Sequence, residues 1–233
     1  MLPVGGRPAL DYLLELCHGH GVRQVAINLH HCPESVPAHL GDGTARGMAL
    51  RYSREEVLLG SAGALRPLAA FFDRPFFVLY GDVLTNMDLT AMGRFHREHG
   101  GLGTVAIYRV PDPERCGVVD IDAGHRIHRF VEKPAPGTVF TDLVNAGVYL
   151  LEPVILSYLP ADVPYDFGRD FFPHLLAAGV RLYGYPLRAD EYLLDIGTPE
   201  NYARAQEEWP AVWAAGLPRR QDWGHSTTER PKK

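Results

Sequence analysis

Lysine is scarce in this sequence. The 233 residues include 20 arginines but only three lysines, of which two are the last two residues. Lys133 is therefore the only lysine in the rest of the chain. Because the compact, mobile ammonium of lysine is not equivalent to the planar guanidinium of arginine, we interpret Lys133 as a position where an ammonium is needed. The alternative interpretation is that one lysine has been kept by chance.

The sequence also lacks the features of several protein classes. Its three cysteines, Cys17, Cys32 and Cys116, do not have metal-ligand spacing. Nothing resembles a signal peptide, and no apolar run is long enough to span a bilayer. The net charge of -5, without a basic stripe, gives no electrostatic case for nucleic acid. We therefore expect a cytoplasmic protein with reduced thiols, whose partners include neither nucleic acid nor a membrane.

The body of the chain alternates predicted strands and helices. With 46% hydrophobic residues, the 233-residue chain can bury a substantial core within one domain. The central stretch is the apolar run 76–80, which stops at Gly81-Asp82. Such a run predicts a fully buried strand that delivers one carboxylate to the edge of a sheet. Asp82 is therefore a candidate for chemistry, and its alternative role is that of a turn aspartate at the strand end.

Two further segments carry candidate site residues. The sequence GSAGAL at 60–65 begins a predicted helix that runs to about Phe72. Small residues at a helix start leave backbone N–H groups exposed to a ligand, although they also simply pack a helix against a sheet. Glu132-Lys133 ends a predicted β-hairpin. Because adjacent strand residues point to opposite faces, these two charges need not neutralise each other.

Two more candidates lie further along the chain. The predicted strand 143–151 is interrupted by Asn145-Ala146-Gly147, as expected where a ligand lies against the backbone. A second apolar run, which begins at Tyr192, ends in Asp195. It repeats the pattern of a strand that delivers one carboxylate.

These segments together resemble one known family. The sugar-1-phosphate nucleotidylyltransferases, and in particular bacterial mannose-1-phosphate guanylyltransferase-like proteins, are matched in order and spacing by residues 59–65, 81–82, 117–119, 130–134, 145–149 and 195–199. Each motif is short, but the ordered set is specific. Since the similarity covers about residues 1–209, we place a nucleotidylyltransferase domain there and a mobile C-terminal tail at 210–233.

The resemblance implies a fold and a reaction. The fold is a Rossmann-like α/β fold of the nucleotide-diphospho-sugar transferase type, with a mixed, mainly parallel sheet flanked by helices. In the reaction, a sugar 1-phosphate attacks the α-phosphorus of a nucleoside triphosphate and releases pyrophosphate, with GTP and mannose 1-phosphate favoured. Such a site must gather several negative phosphates, so it needs a divalent ion and a positive side chain more than a covalent nucleophile.

The resemblance also implies residue roles. Asp82 and Asp195 would hold Mg²⁺, which prefers carboxylate oxygens, and Lys133 would bind the sugar phosphate. These three form the expected catalytic set. The other site residues would bind the substrates: Glu132 the sugar hydroxyls, Asn145 and Gly147 the sugar ring with the backbone of Gly117 nearby, and Gly60 and Gly63 the nucleotide base.

Two departures from the family pattern bear on these expectations. Cys116 stands where relatives usually carry a tyrosine, which affects local packing. In the family, a first strand and a glycine-rich, arginine-containing loop that wraps the triphosphate precede the equivalent of residues 1–8. We expect either that Met1 is an internal methionine, or that this is a shortened protein in which two sheet edges lack the partner strand.

Three functions are therefore compared. The first is a nucleotidylyltransferase, impaired in the chain as given. The second is a non-catalytic relative that binds sugar phosphates or sugar nucleotides and regulates or pairs with a complete homologue. The partner alternatives are this pairing and a homo-oligomer. The third is a nucleotide-sugar glycosyltransferase, but its usual Asp-x-Asp motif is not present at Asp82, which is followed by Val83 and Leu84.

Overall fold

A computed structural model describes residues 1–161 and 163–216. The strands are β1 (Pro3–Val4), β2 (Arg7–Pro8), β3 (Gln24–Leu29), β4 (Ala49–Arg54), β5 (Phe76–Leu79), β6 (Val83–Thr85), β7 (Gly103–Arg109), β8 (Gly117–Ile121), β9 (Ile127–Glu132), β10 (Leu143–Leu151), β11 (Leu182–Pro186) and β12 (Leu193–Asp195). The α-helices are α1 (Ala9–Gly19), α2 (Ser35–Leu40), α3 (Leu89–His99), α4 (Phe172–Ala177) and α5 (Pro199–Ala214). Thr44–Arg46, Gly63–Phe71 and Pro153–Tyr158 are 3-10 helices, and Phe167–Phe171 is a π-helical turn. Over the described ranges, no helix has the length and apolar character needed to cross a membrane.

Strand β10 is the centre of the main sheet. It pairs with β7 along one edge, and on the other edge with β8 at Val144 and with β5 from Val148 to Leu151. Strand β11 lies beyond β7 and β9 beyond β8, which gives a six-stranded sheet. The register of β10 against β7 shifts after Asn145, where Gly147 has a φ of 69°. Glycine is the residue that adopts this conformation without strain, as a β-bulge requires.

Helices cover both faces of this sheet. Because side chains alternate along a strand, Tyr149 and Leu151 of β10 belong to one hydrophobic core, and Val148 and Leu150 belong to another. The first core is closed by α4 and the long 3-10 helix, and the second by α1 and α3. A third core around Trp209 joins α5 to the N-terminal strand β1.

The expected fold class is confirmed, since a mixed sheet is flanked by helices. The expectation of mainly parallel pairing does not hold for the described strands. There, the β11–β7 and β3–β4 pairs are parallel, and the other six pairs are antiparallel. The reason is that β10 runs against all three of its neighbours, and that β8 and β9 form a hairpin, whose short turn permits only antiparallel pairing.

Strand β5 corrects a second expectation. Only Phe76 is buried, whereas Phe77, Val78 and Leu79 are half-buried, so the strand is not fully buried. Among the described residues β5 hydrogen-bonds only to β10, and β3 only to β4. Each of these two strands therefore has one edge without a strand partner in this part of the chain.

The C-terminal boundary also differs from the prediction. Helix α5 continues through Pro210 to Ala214, and Val212 and Trp213 pack against the third core. The predicted tail therefore begins too early at residue 210. The rest of that predicted tail, residues 217–233, lies outside the described residues.

Candidate active site

Asp82 and Asp195 meet beside the small β6–β12 ladder. Asp82 directly precedes β6, which pairs with β12 so that Asp195 lies opposite Val83. The N–H of Ile196 donates to the carbonyl of Asp82 at 2.8 Å, and the N–H of Gly197 donates to Asp195 Oδ1 at 2.6 Å. A Cβ on Gly197 would lie 2.9 Å from Asp195 Oδ1 and 3.5 Å from Asp82 Oδ2. The structure therefore brings the two carboxylates to the same glycine.

This carboxylate pair fits a divalent cation. Although Asp82 as a residue is exposed to solvent, burial of its carboxyl among protein atoms raises its pKa, and the charge of Asp195 raises the pKa further. The two carboxylates repel each other, and a bound Mg²⁺ would compensate this repulsion. Carboxylate oxygens are also the hard donors that Mg²⁺ prefers. No cluster of three or more potential metal ligands occurs in residues 1–161 and 163–216. Phosphate and water oxygens would therefore complete the shell, as is usual for Mg²⁺.

Glu132 lies in a slot formed by two glycines. It pairs with Gly117 across the β8–β9 ladder, and a Cβ on Gly117 would lie 2.6 Å from Glu132 Oε2. A Cβ on Gly168 would lie 2.4 Å from the same oxygen. Burial raises the pKa of Glu132 and the charge of Asp166 raises it further, while nearby basic residues lower it. The position of this carboxylate therefore depends on the absence of a side chain at both glycines.

Lys133 follows in a left-handed backbone conformation. Its φ of 47° is uncommon for a residue with a side chain and is typical of functional sites. Its N–H donates to the carbonyl of Cys116 at 3.0 Å. Burial raises the pKa of the Cys116 thiol, Glu132 and Asp195 raise it further, and Lys133 lowers it. The charges of Glu132, Lys133 and Asp195 therefore act on one thiol, and Asp195 in turn acts on Asp82.

Asn145 and Gly147 shape the bulge of β10. Asn145 Oδ1 accepts from the N–H of Gly147 at 3.0 Å, and its Nδ2 donates to the hydroxyl of Tyr149 at 2.9 Å. The N–H of Tyr80 donates to the carbonyl of Gly147 at 3.0 Å, and a Cβ on Gly147 would lie 3.3 Å from the Tyr80 ring. The role of both residues in lining a sugar pocket stays a prediction.

Residues 60–63 pack against the backbone of Tyr165. The N–H groups of Ala62 and Gly63 both donate to the Tyr165 carbonyl at 2.9 Å, so the expectation that such groups face a ligand is wrong for these two. Gly60 has a φ of 77°, and a Cβ there would lie 2.5 Å from Tyr165 O. Glycine at 60 is therefore explained by close packing, and the role of Gly60 and Gly63 at the base stays a prediction.

Sequence reasoning missed several residues around these groups. Ser61 and Asp166 form a hydrogen bond of 2.6 Å, and Gly168 borders Glu132. The pKa of Tyr108 is raised to about 12 by burial, with Cys116 and Asp195 adding to the effect. A local signal existed for Asp166, which is followed by an apolar helical pattern and caps the turn at the N–H groups of Gly168 and Arg169.

Comparison with known proteins identifies the family. The model of the family described as Nucleotidyl transferase matches residues 1–211. The chain belongs to this family of sugar-1-phosphate nucleotidylyltransferases. It is 35% identical to UTP–glucose-1-phosphate uridylyltransferase of Synechocystis, over 88% of this chain and 56% of that protein. It is 33% identical to mannose-1-phosphate guanylyltransferase of Mycobacterium tuberculosis, over 89% of this chain and 57% of that protein.

Solved structures support the fold assignment. HddC from Yersinia pseudotuberculosis, also solved with GMP-PN, has 24% identity and a TM-score of 0.75 over 90% of this chain and 88% of that chain. Apo-UDP-glucose pyrophosphorylase has 20% identity and a TM-score of 0.75 over 91% and 89%. This family member therefore shares the fold of both. It spans a little over half the length of the two curated relatives, 56% and 57%.

Proposed function

We propose that this nucleotidyltransferase family member transfers a nucleoside monophosphate from a nucleoside triphosphate to a sugar 1-phosphate and releases pyrophosphate. GTP and mannose 1-phosphate are the proposed substrates. The observation that carries the proposal is that the carboxylates of Asp82 and Asp195 lie together at Gly197. Glu132 and Lys133 lie beside Cys116 at the end of the β8–β9 ladder, and their charges and that of Asp195 act on its thiol. A carboxylate pair for a cation and an ammonium for a phosphate are what this reaction needs.

The proposed chemistry needs no nucleophile from the protein. A phosphate oxygen of the sugar 1-phosphate forms the new bond to the α-phosphorus, and the bond from that phosphorus to the bridging oxygen of pyrophosphate breaks. Because a phosphate monoester is largely ionised at neutral pH, no proton has to be removed from the attacking oxygen. Asp82 and Asp195 would hold Mg²⁺, which supplies positive charge to the phosphates when bound.

The remaining residues would bind and orient the sugar phosphate. Lys133 is an exposed residue at the end of the β8–β9 ladder, and its backbone N–H bonds to the carbonyl of Cys116. It would hold the phosphate as a mobile point charge. Glu132, held between Gly117 and Gly168, would accept hydrogen bonds from sugar hydroxyls. The two adjacent residues would thus fix both ends of the same substrate.

The substrate preference is tested by direct comparison. The M. tuberculosis relative is named for mannose 1-phosphate and guanylyl transfer, and the Synechocystis relative for glucose 1-phosphate and UTP. Guanylyl relatives also include the Candida albicans enzyme, at 30% identity. We expect pyrophosphate release to be faster with GTP and mannose 1-phosphate than with UTP and glucose 1-phosphate. The thiols of Cys17, Cys32 and Cys116 are free. Free thiols are consistent with the cytoplasm, where we propose that these substrates are used.

The experiment measures pyrophosphate release and, separately, calorimetric binding of each substrate by the purified chain. Asp195→Asn should reduce turnover and Mg²⁺-dependent nucleotide binding strongly. Asp120→Asn, on the exposed face of β8, is the matched control and should change neither. Binding of both substrates without turnover would instead favour the non-catalytic relative. No binding of any of these substrates would contradict the proposed function.

A further inference from the structure

Two hydrogen-bonded pairs of polar side chains lie in the candidate site, on either side of Tyr80. Asn145 Nδ2 donates to the Tyr149 hydroxyl at 2.9 Å. The rings of Tyr80 and Tyr149 pack edge to face, with their centroids 5.7 Å apart. Ser61 Oγ donates to Asp166 Oδ2 at 2.6 Å. The bond between Ser61 and Asp166 joins two segments that are 105 positions apart, and we call it the Ser61–Asp166 link.

The Ser61–Asp166 link adjoins a proposed substrate-binding element at each end. Ser61 lies in the segment 60–63, which is proposed to border the base, and Tyr80 is two residues before Asp82. At the far end, Asp166 Oδ1 accepts from the N–H groups of Gly168 and Arg169 at 3.0 Å each. Gly168 in turn leaves the space that Glu132 occupies. The Ser61–Asp166 link therefore connects a segment proposed to border the base with the slot of a residue proposed to bind the sugar.

Ser61 is the residue through which the two sides are linked. Its hydroxyl donates to Asp166 and also accepts from the N–H of Phe167 at 2.9 Å. Burial acts to raise the pKa of Asp166, but hydrogen bonds from Ser61 and from two backbone N–H groups outweigh it, and the pKa is lowered. The carboxyl is therefore ionised at neutral pH, and a hydrogen bond to an ionised acceptor is about twice as strong as a neutral one.

We propose that Ser61 is a positioning residue that couples the nucleotide-binding segment to the sugar-phosphate pocket. The proposal rests on the proposed function, because it assigns a residue to the coupling of that function's two substrates. A base bound against residues 60–63 would fix Ser61, whose hydroxyl bonds to Asp166 at the start of the turn 166–168, and Gly168 of that turn leaves the space that Glu132 occupies. Binding of one substrate then strengthens binding of the other by the same factor, as linkage requires.

The test separates this link from the backbone contacts around it. In Ser61→Ala, the hydrogen bonds from Ala62 and Gly63 to Tyr165 remain, so the fold should be kept, which thermal unfolding checks. Ser61→Thr keeps a hydroxyl and should restore the link. Ser157→Ala removes an exposed hydroxyl that donates to the Val154 carbonyl, and it is the control.

The measurement is calorimetric titration of mannose 1-phosphate with and without the α,β-methylene analogue of GTP, which cannot lose pyrophosphate. The wild type, Ser61→Thr and Ser157→Ala should show a coupling factor of at least about 5-fold, the low end of the usual range. Ser61→Ala should show a factor near 1 while it still binds each substrate alone. A folded Ser61→Ala that keeps the wild-type factor, or a wild type that binds both substrates without coupling, overturns the inference. A wild type that binds neither overturns the proposed function and the inference with it.

Discussion

Gly168→Ala tests whether the position of Glu132 matters for the sugar substrate. The Cβ that alanine adds would lie 2.4 Å from Glu132 Oε2 and 3.1 Å from its Cδ, whereas ordinary contact begins at 3.4 Å. The carboxylate must therefore retreat by about 1 Å, a displacement that costs about 100-fold in a positioned reaction. This loss corresponds to about 2.7 kcal/mol of transition-state stabilisation.

The effect on the fold should be much smaller. The group that Cβ meets is the far end of a flexible side chain, and overpacking of this kind costs about 1–3 kcal/mol. Gly168 does not have a positive φ, so alanine is compatible with its backbone conformation. Alanine then stabilises the fold by about 0.4–1 kcal/mol, because it reduces the conformational entropy of the unfolded chain. With about 2–4 °C per kcal/mol for a chain of this size, Tm should fall by less than about 10 °C.

The assay is steady-state pyrophosphate release with sugar 1-phosphate varied at saturating nucleotide, and then with nucleotide varied. We expect kcat/KM for the sugar 1-phosphate to fall about 100-fold, with KM for the nucleotide unchanged. Gly124→Ala, at a hairpin tip where the nearest atom to the new Cβ is Asp122 Oδ1 at 3.3 Å, should change neither. If Gly168→Ala folds and uses sugar 1-phosphate as the wild type does, Glu132 does not bind the sugar.

Three further predictions follow from the charges of the site. Asp82→Asn should strongly weaken Mg²⁺-dependent nucleotide binding in calorimetry, because a neutral amide supplies less charge to a hard cation; equal affinity would remove Asp82 from the site. Lys133→Ala should lower affinity for sugar 1-phosphate by about 10-fold or more but not affinity for free sugar, and Lys133→Arg should rescue poorly. Because the pKa of Asp166 is lowered from its usual 3.8, its stabilisation is present above that pH and is lost as pH falls through the folded value. Asp166→Asn should therefore flatten the decline of unfolding free energy below about pH 4, and a decline as steep as that of the wild type would contradict this sign.

The main strands could be predicted because local runs of apolar residues indicate them. Strand β10 has the predicted bounds, Leu143–Leu151, and its bulge falls at the predicted small residues. Asp82 and Asp195 were placed at strand ends because each follows an apolar run, and both adjoin the β6–β12 ladder. Local pattern suffices where burial on both faces demands continuous apolar sequence.

The helical segments around the site could not be predicted in the same way. Gly63–Phe71 is a 3-10 helix and Phe167–Phe171 a π-helical turn, where the sequence predicts ordinary helices. Their geometry follows tertiary contacts such as the bonds from Ala62 and Gly63 to Tyr165. The Ser61–Asp166 bond joins residues 105 positions apart. The hydrophobic periodicity of a single segment does not indicate a contact between two such distant residues.

The carboxylates of the site connect its function to its stability. Burial and Asp195 raise the pKa of Asp82, and burial and Asp166 raise that of Glu132. A raised pKa means that the fold disfavours the ionised acid, so stability falls as pH rises from the usual values of 3.8 and 4.5 through the raised ones. A bound cation would remove part of this cost, since a ligand of the folded state stabilises it. Asp82→Asn should therefore raise Tm at neutral pH in a chelator and abolish the rise in Tm that Mg²⁺ and nucleotide cause in the wild type. If Asp82 did not hold the cation, Asp82→Asn would still raise Tm in the chelator, because burial and Asp195 raise the pKa without a metal, but the rise with Mg²⁺ and nucleotide would remain.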